Sequence, residues 1–172
     1  FLLKPCNELP HVQESAAEQQ RNLARNQALL ETLQDAARRC SGMAWRVCLV
    51  KDGQEVAWER FYPLTPEEAA RAKEIILTRA HAVKTDTSVQ HCGTQQGVSF
   101  ALCFLDAEGE FIAGVDAPSL GMESDITPDG YLYNAAISLP DQDLRFLDHA
   151  GDSARRDSDI REFFSAGKTI ER

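Results

Sequence analysis

The chain of 172 residues is 43% hydrophobic and 26% charged, which is the composition of a globular protein and not of a disordered chain. It has 18 Lys and Arg against 27 Asp and Glu, so the formal net charge is −9. This balance argues against a nucleic-acid partner and against docking on anionic lipid, since both need a basic surface. No apolar run is long enough to span a bilayer, so any membrane attachment is expected through a segment outside this chain.

The first ten residues and the cysteines bear on the cellular compartment. Residues 1–10 contain two prolines and read as an irregular lead-in, with a juxtamembrane position or a frayed terminus as the two interpretations. Cysteines stand at positions 6, 40, 48, 92 and 103, without a C-x-x-C spacing, so no zinc ribbon is indicated. These features favour a bacterial periplasmic or other extracytoplasmic domain; reduced core cysteines in a cytosolic protein are the alternative. In the extracytoplasmic case Cys48 and Cys103 are the predicted disulfide pair, because both lie on predicted apolar strands.

Two helices are predicted in the first half of the chain. Residues 11–40 lack Gly and Pro and carry an apolar stripe, which predicts one long helix. Its heptad spacing, with Leu23 and Leu30 at one core position, allows a homodimer through the 11–40 helix. Packing of the helix along its own domain is the alternative, and it is slightly favoured. A second helix is predicted to begin at Thr65, because Pro66 suits the first helical position and Glu68 completes a capping box.

The remaining segments predict an antiparallel sheet. Val98–Leu105 is apolar on both faces, as is typical of a central strand, and Asp52-Gly53 and Glu108-Gly109 are turn sequences. The other predicted elements are four strands and one short helix, at 43–50, 56–62, 110–115, 131–139 and 158–167. The sequence therefore predicts an α+β fold, with a long N-terminal helix and a second helix packed on a sheet of about five strands. Residues 41–172 are expected to form one domain together with the helix.

One hairpin resembles a known family. The stretch Phe104–Asp116 has the pattern apolar-apolar-Asp-x-x-Gly-x-apolar-apolar-Ala, followed by an Asp. It resembles the central hairpin of Cache and PAS-like sensor domains, and Leu120-Gly121-Met122 resembles the small-residue step that follows. The resemblance implies a PAS- or Cache-like sensor fold, and it does not imply a particular ligand.

The candidate binding residues follow that hairpin. Residues 81–130 contain eight acids and one lysine, which favours a cationic ligand or a basic partner; a solvated acidic face is the ordinary alternative. Asp116, Tyr131 and Tyr133 flank the longest predicted loop, and a carboxylate beside two phenols suits a protonated amine. We therefore predict that these three residues bind the ligand. No pattern indicates a catalytic residue, a metal site or a cofactor, so the chain is not expected to be an enzyme.

Two functions remain open from the sequence. The first is an extracytoplasmic sensory domain of a membrane-anchored signalling protein that binds a small polar or cationic ligand. The second is a non-enzymatic interaction or assembly module of a cell-envelope complex, in which the long helix and the acidic surface bind protein partners.

Overall fold

The structure is a computed structural model that describes residues 15–50, 56–84, 97–117, 131–134 and 137–170. These residues form four helices and seven strands. In chain order they are α1 (Ala16–Arg39), β1 (Gly42–Val50), β2 (Val56–Pro63), α2 (Pro66–Thr78), β3 (His81–Ala82), β4 (Gly97–Leu105), β5 (Phe111–Ala117), β6 (Tyr131–Asn134), β7 (Ile137–Pro140), α3 (Asp141–His149) and α4 (Ser153–Ile170). The predicted α+β class is confirmed.

Both long helices of the first half begin at a capping box. At α1 the Ser15 hydroxyl accepts a hydrogen bond from the Glu18 amide, and the Glu18 carboxylate accepts one from the Ser15 amide. Thr65 and Glu68 repeat this arrangement at α2, with Pro66 in the first turn as predicted. Each box satisfies two amides that the helix leaves without a partner, so both helix starts are fixed by local sequence.

The main sheet has four antiparallel strands in the order β2-β1-β4-β5. The predicted interior position of Val98–Leu105 is confirmed, because β4 lies between β1 and β5. The turn at Glu108-Gly109 is also confirmed: Gly109 has a φ of 82°, a conformation that glycine adopts readily. The strands β1 and β2 pair as predicted, while the Asp52-Gly53 turn between them lies outside the described residues.

The sheet packs its helices on one face. Trp45, Val47 and Leu49 of β1 belong to the core cluster that includes the buried side chains of α1, α2 and α3. The alternate residues Ala44, Arg46 and Cys48 do not belong to it. We call the face that carries Trp45 the inner face and the face that carries Arg46 the outer face.

The second half of the chain differs from the expectation in two places. The predicted fifth strand, 131–139, is instead the pair β6 and β7, which joins β3 in a separate small sheet of order β3-β7-β6. The predicted short helix at 158–167 is part of the 18-residue α4, which continues through Gly167. A helix before it, α3, was not predicted, since Pro140 at its N-cap has no capping side chain and the helix has only nine residues.

Candidate functional site

The three predicted binding residues lie on two strands. Asp116 is near the end of β5, where it pairs with Ala101 of β4. Tyr131 and Tyr133 lie on β6, where they pair with Pro140 and Ser138 of β7. The structure describes only the backbone at these three positions, and the connecting loop 118–130 is outside the described residues.

The backbones of β5 and β6 approach each other, with Cα–Cα distances within 8 Å. The edge of the main sheet therefore meets the small sheet at the strands that carry Asp116, Tyr131 and Tyr133. Since Tyr131 and Tyr133 are two apart on an extended chain, they share one side of β6. The structure thus places the two predicted binding segments side by side.

The predicted disulfide between Cys48 and Cys103 is wrong. The register pairs Cys48 with Ser99 and Cys103 with Ala44, so the two cysteines lie four residues apart along neighbouring strands. That offset corresponds to about 13 Å, whereas a disulfide needs Cα atoms within roughly 7 Å. Both are buried side chains of the outer face. The pairing failed because the sequence shows which face a strand residue occupies but not its register with a distant strand.

The side of α1 that was predicted to form a homodimer faces the core of its own domain. The heptad positions from Asn26 to Ala37 are buried within the domain itself, and the Asn26 side-chain amide donates to the Val83 carbonyl at 2.9 Å. The seam of the predicted coiled coil is therefore occupied by the small sheet and by α2, as in the favoured alternative. The predicted homodimer through the 11–40 helix would have to use the exposed side of α1, and it stays a prediction.

A buried polar cluster, which no sequence pattern indicated, lies between α4 and the inner face. The Arg156 side chain is only 2% exposed and lies over the rings of Trp45 and Phe100, at 5.7 and 5.6 Å from their centroids. Its guanidinium donates to the carbonyl of Asp148, in the last turn of α3, and to that of Ala150, at the C-cap of the same helix. Trp45 Nε1 donates to the neighbouring carbonyl of Leu147 at 3.0 Å. Arg156 and Trp45 therefore donate to three carbonyls at the end of α3, one of which, that of Leu147, also accepts from the Ala150 amide.

A second polar contact joins α4 to β2. The Tyr62 hydroxyl donates to Asp159 Oδ2 at 2.5 Å, and Arg60 Nη1 lies 3.1 Å from the same oxygen. Burial, followed by the neighbouring Asp159 carboxylate, raises the pKa of Tyr62 to about 12. The hydrogen bond from Tyr62 and the charge of Arg60 lower the pKa of Asp159. Asp159 is therefore a carboxylate and Tyr62 a neutral phenol at neutral pH. This arrangement can orient a helix on the sheet.

The outer face carries two exposed phenylalanines. Phe61 on β2 is 52% exposed and Phe111 on β5 is 65% exposed. Pairing with Arg46 and Leu105 assigns both to the outer face, away from the helices of the core. Between them lie small residues, among them Ala44, Cys103 and Gly114. Large apolar side chains on both edge strands are a feature of surfaces that bind other proteins.

Other kinds of site receive no support within the described ranges. No three His, Cys, Asp or Glu side chains there come together as a metal ion requires. The helices there are also too short or too polar to span a membrane. Comparison of the chain with protein-family models, with curated proteins and with solved structures finds no significant match.

Proposed function

We propose that this chain is a ligand-binding domain of a sensory protein, and that it recognises a small cationic ligand with Asp116, Tyr131 and Tyr133. The proposal is carried by the approach of β5 to β6, which places the strand of the acid beside the strand of the two phenols. A carboxylate supplies a charge-assisted hydrogen bond to an amine, and phenol rings supply cation–π contacts.

The cellular location of the domain is part of the same proposal. The likeness of Phe104–Asp116 to the hairpin of Cache and PAS-like sensors supports an extracytoplasmic domain of a membrane-anchored signalling protein. Topology reporters fused after residue 172 of the full-length gene product test this setting. An extracytoplasmic reporter signal supports it, and a cytoplasmic signal contradicts it.

Ligand binding is tested by thermal shift against amino acids, polyamines, organic acids and divalent cations. A ligand that binds only the folded state at a hundredfold excess over Kd stabilises it by about 2.7 kcal/mol. We expect an amine-containing compound to raise the Tm of the wild type. Asp116→Asn should abolish that rise, and Glu108→Gln, at the exposed far end of the same hairpin, should retain it.

Two results contradict this proposal. One is that no cationic compound raises the Tm of the wild type. The other is that Asp116→Asn and Glu108→Gln reduce the shift equally, since that pattern indicates a general effect of negative charge and not a site on β5.

The outer face favours a second candidate function, a non-enzymatic interaction module. The supporting observation is the pair of exposed aromatic side chains, Phe61 and Phe111, on one face of the sheet. Cross-linking in the cells that produce the protein tests this function. A partner that cross-links to the wild-type domain should no longer cross-link to the double variant Phe61→Ser/Phe111→Ser. Leu29→Ser is the matched control, because Leu29 is equally exposed on α1. A partner lost equally from both variants, or retained by both, contradicts a role of the outer face.

A further inference from the structure

The helix α4 differs from α1 in what it buries. From Ser153 to Ala166, Arg156 is the one described side chain that is buried, and all others are half-buried or exposed. By contrast, α1 buries four apolar side chains, Leu30, Leu33, Ala36 and Ala37. Burial of apolar surface is the main favourable term in packing a helix. The packing of α4 therefore depends on polar contacts and on partly buried apolar side chains, whereas the packing of α1 depends on fully buried ones.

Burying the charged Arg156 side chain costs desolvation free energy, and this cost offsets part of the favourable free energy of packing α4. Its acceptors are the carbonyls of Asp148 and Ala150 at the end of α3, and the carboxylate of Asp157, on α4 itself, lies 3.8 Å from Nε. Its Nε has no hydrogen-bond partner. Burial lowers the pKa of Arg156, the direction expected of a desolvated cation. Release of α4 rehydrates this charge, so the penalty for burying it favours the released state.

Beyond Arg156, α4 is held by Asp159 and by three apolar side chains that pack against the core but are only partly buried: Ile160, Phe163 and Phe164. Asp159 bonds to Tyr62 and pairs with Arg60, whose side chain is half exposed. The Phe163 ring lies 6.4 Å from that of Trp58, in a tilted arrangement, and both are only partly buried. Half-buried contacts of this kind are typical of elements that open below the free energy of global unfolding.

We propose that α4 is a releasable strap, which leaves the inner face as a unit while the main sheet and α1 remain folded. The turn at Gly151 and Asp152, where both residues have positive φ, is the pivot. Release uncovers an aromatic floor of four side chains on the inner face: Trp45, Trp58, Tyr62 and Phe100. This inference is independent of the ligand proposal, because none of the residues that carry it is a predicted ligand-binding residue.

Native-state hydrogen exchange of the whole chain tests the strap directly. Amides of α4 should exchange through an opening that leaves β1 and β4 protected, with protection factors at least about tenfold lower than those of β1, β4 and α1. Equal protection in α4 and β1 overturns the proposal, since it shows that α4 opens only when the whole domain unfolds.

A pair of variants tests the contact that holds the strap. Asp159→Ala removes a charged hydrogen bond, so we expect exchange of the α4 amides to accelerate by about tenfold or more, while β1 and β4 are unchanged. Glu162→Ala is the control, because Glu162 is exposed on the same helix and should leave exchange within about twofold of the wild type. Equal acceleration in α4 and β1 by Asp159→Ala overturns the proposal.

Tryptophan fluorescence gives a second readout, because the two tryptophans of the chain, Trp45 and Trp58, both contact α4. Acrylamide should quench both more strongly in Asp159→Ala than in Glu162→Ala, with circular dichroism of the sheet unchanged. Equal quenching in the two variants contradicts an opening at α4.

Discussion

The backbone amide of Gly151 donates a hydrogen bond to the Glu68 carboxylate, with N and Oε2 3.2 Å apart. The other oxygen of the same carboxylate accepts from the Thr65 amide, at the start of α2. Glu68 thus joins the capping box of α2 to the turn between α3 and α4. A helix start that is specified locally also positions a connection 83 residues further along the chain.

Substitution of Gly151 should be among the most destabilising single changes. An added Cβ would lie 2.9 Å from Trp45 Cδ1 and 2.9 Å from the Tyr62 carbonyl oxygen, and the φ of 72° is unfavourable for a side chain. We expect Gly151→Ala to lower the free energy of unfolding by more than about 2 kcal/mol, as urea denaturation can measure. Gly109→Ala is the control: its φ is 82°, but nothing lies within 4 Å, so only the backbone term of about 1 kcal/mol applies. Equal effects of the two substitutions would contradict the close packing at Gly151.

The stability of the protein should fall between pH 10 and about 12 through Tyr62. Its pKa is about 12 in the folded protein and near 10 when unfolded, so the unfolded chain loses this proton first. The contribution is complete below pH 10 and is lost as the pH rises to about 12. The difference in unfolding free energy between the wild type and Tyr62→Phe should therefore shrink over this range. A difference that stays constant with pH indicates that the folded environment does not perturb Tyr62.

The indole of Trp45 should contribute through its hydrogen bond as well as its size. Trp45→Phe keeps an aromatic ring but removes one of the two donors to the Leu147 carbonyl, which still accepts from the Ala150 amide, so we expect the lost hydrogen bond to cost about 0.5–1.5 kcal/mol. The size-matched control is Trp58→Phe, at a half-buried position on the same face, where we expect a smaller loss. Thermal denaturation of both variants measures the two losses of stability. An equal or larger loss for Trp58→Phe contradicts a stabilising hydrogen bond from Trp45 to Leu147.

The ion pair between Arg46 and Glu59 should contribute little. Both side chains are more than a third exposed, and their two hydrogen bonds are each 3.1 Å long. A double-mutant cycle with Arg46→Gln and Glu59→Gln should give a coupling of roughly 0–1 kcal/mol that weakens in salt. The hydrogen bonds from Arg46 lower the pKa of Glu59, so the coupling is present at neutral pH and is lost as acid protonates this carboxylate. A coupling that survives protonation of Glu59 contradicts this account.

The cysteine register predicts the redox chemistry of the outer face. Under oxidising conditions, digestion and mass spectrometry without reductant should reveal no disulfide that links the peptides of Cys48 and Cys103. Such a linked peptide in folded, monomeric protein would contradict the pairing of Cys48 with Ser99 in β1 and β4.

The sequence was sufficient where structure is determined locally. Thr65, Pro66 and Glu68 fixed the start of α2, and the apolar run 98–105 identified the central strand, because capping and two-sided burial leave direct patterns. The segment 131–139 was harder to interpret, since its apolar residues do not reveal that 131–134 and 137–140 pair with each other as two antiparallel strands.

Long-range polar contacts could not be predicted in the same way. Arg156 lies in a run of charged residues that is typical of a solvated helix face, yet it is buried against Trp45, 111 positions earlier in the chain. The candidate binding residues Asp116, Tyr131 and Tyr133 were chosen from loop length and charge. Only the three-dimensional structure brings their strands together.

The two capping boxes have a consequence for the order of folding. Ser15 with Glu18, and Thr65 with Glu68, close over four residues, so each helix start can form in a chain that has no tertiary structure. The pairing of β1 with β4 instead joins Leu49 to Val98, across the whole of β2 and α2. Closing that long loop carries an entropic cost that is met before the core contacts are gained. The rate of folding should therefore be set by the meeting of β1 and β4, with the helix starts already formed.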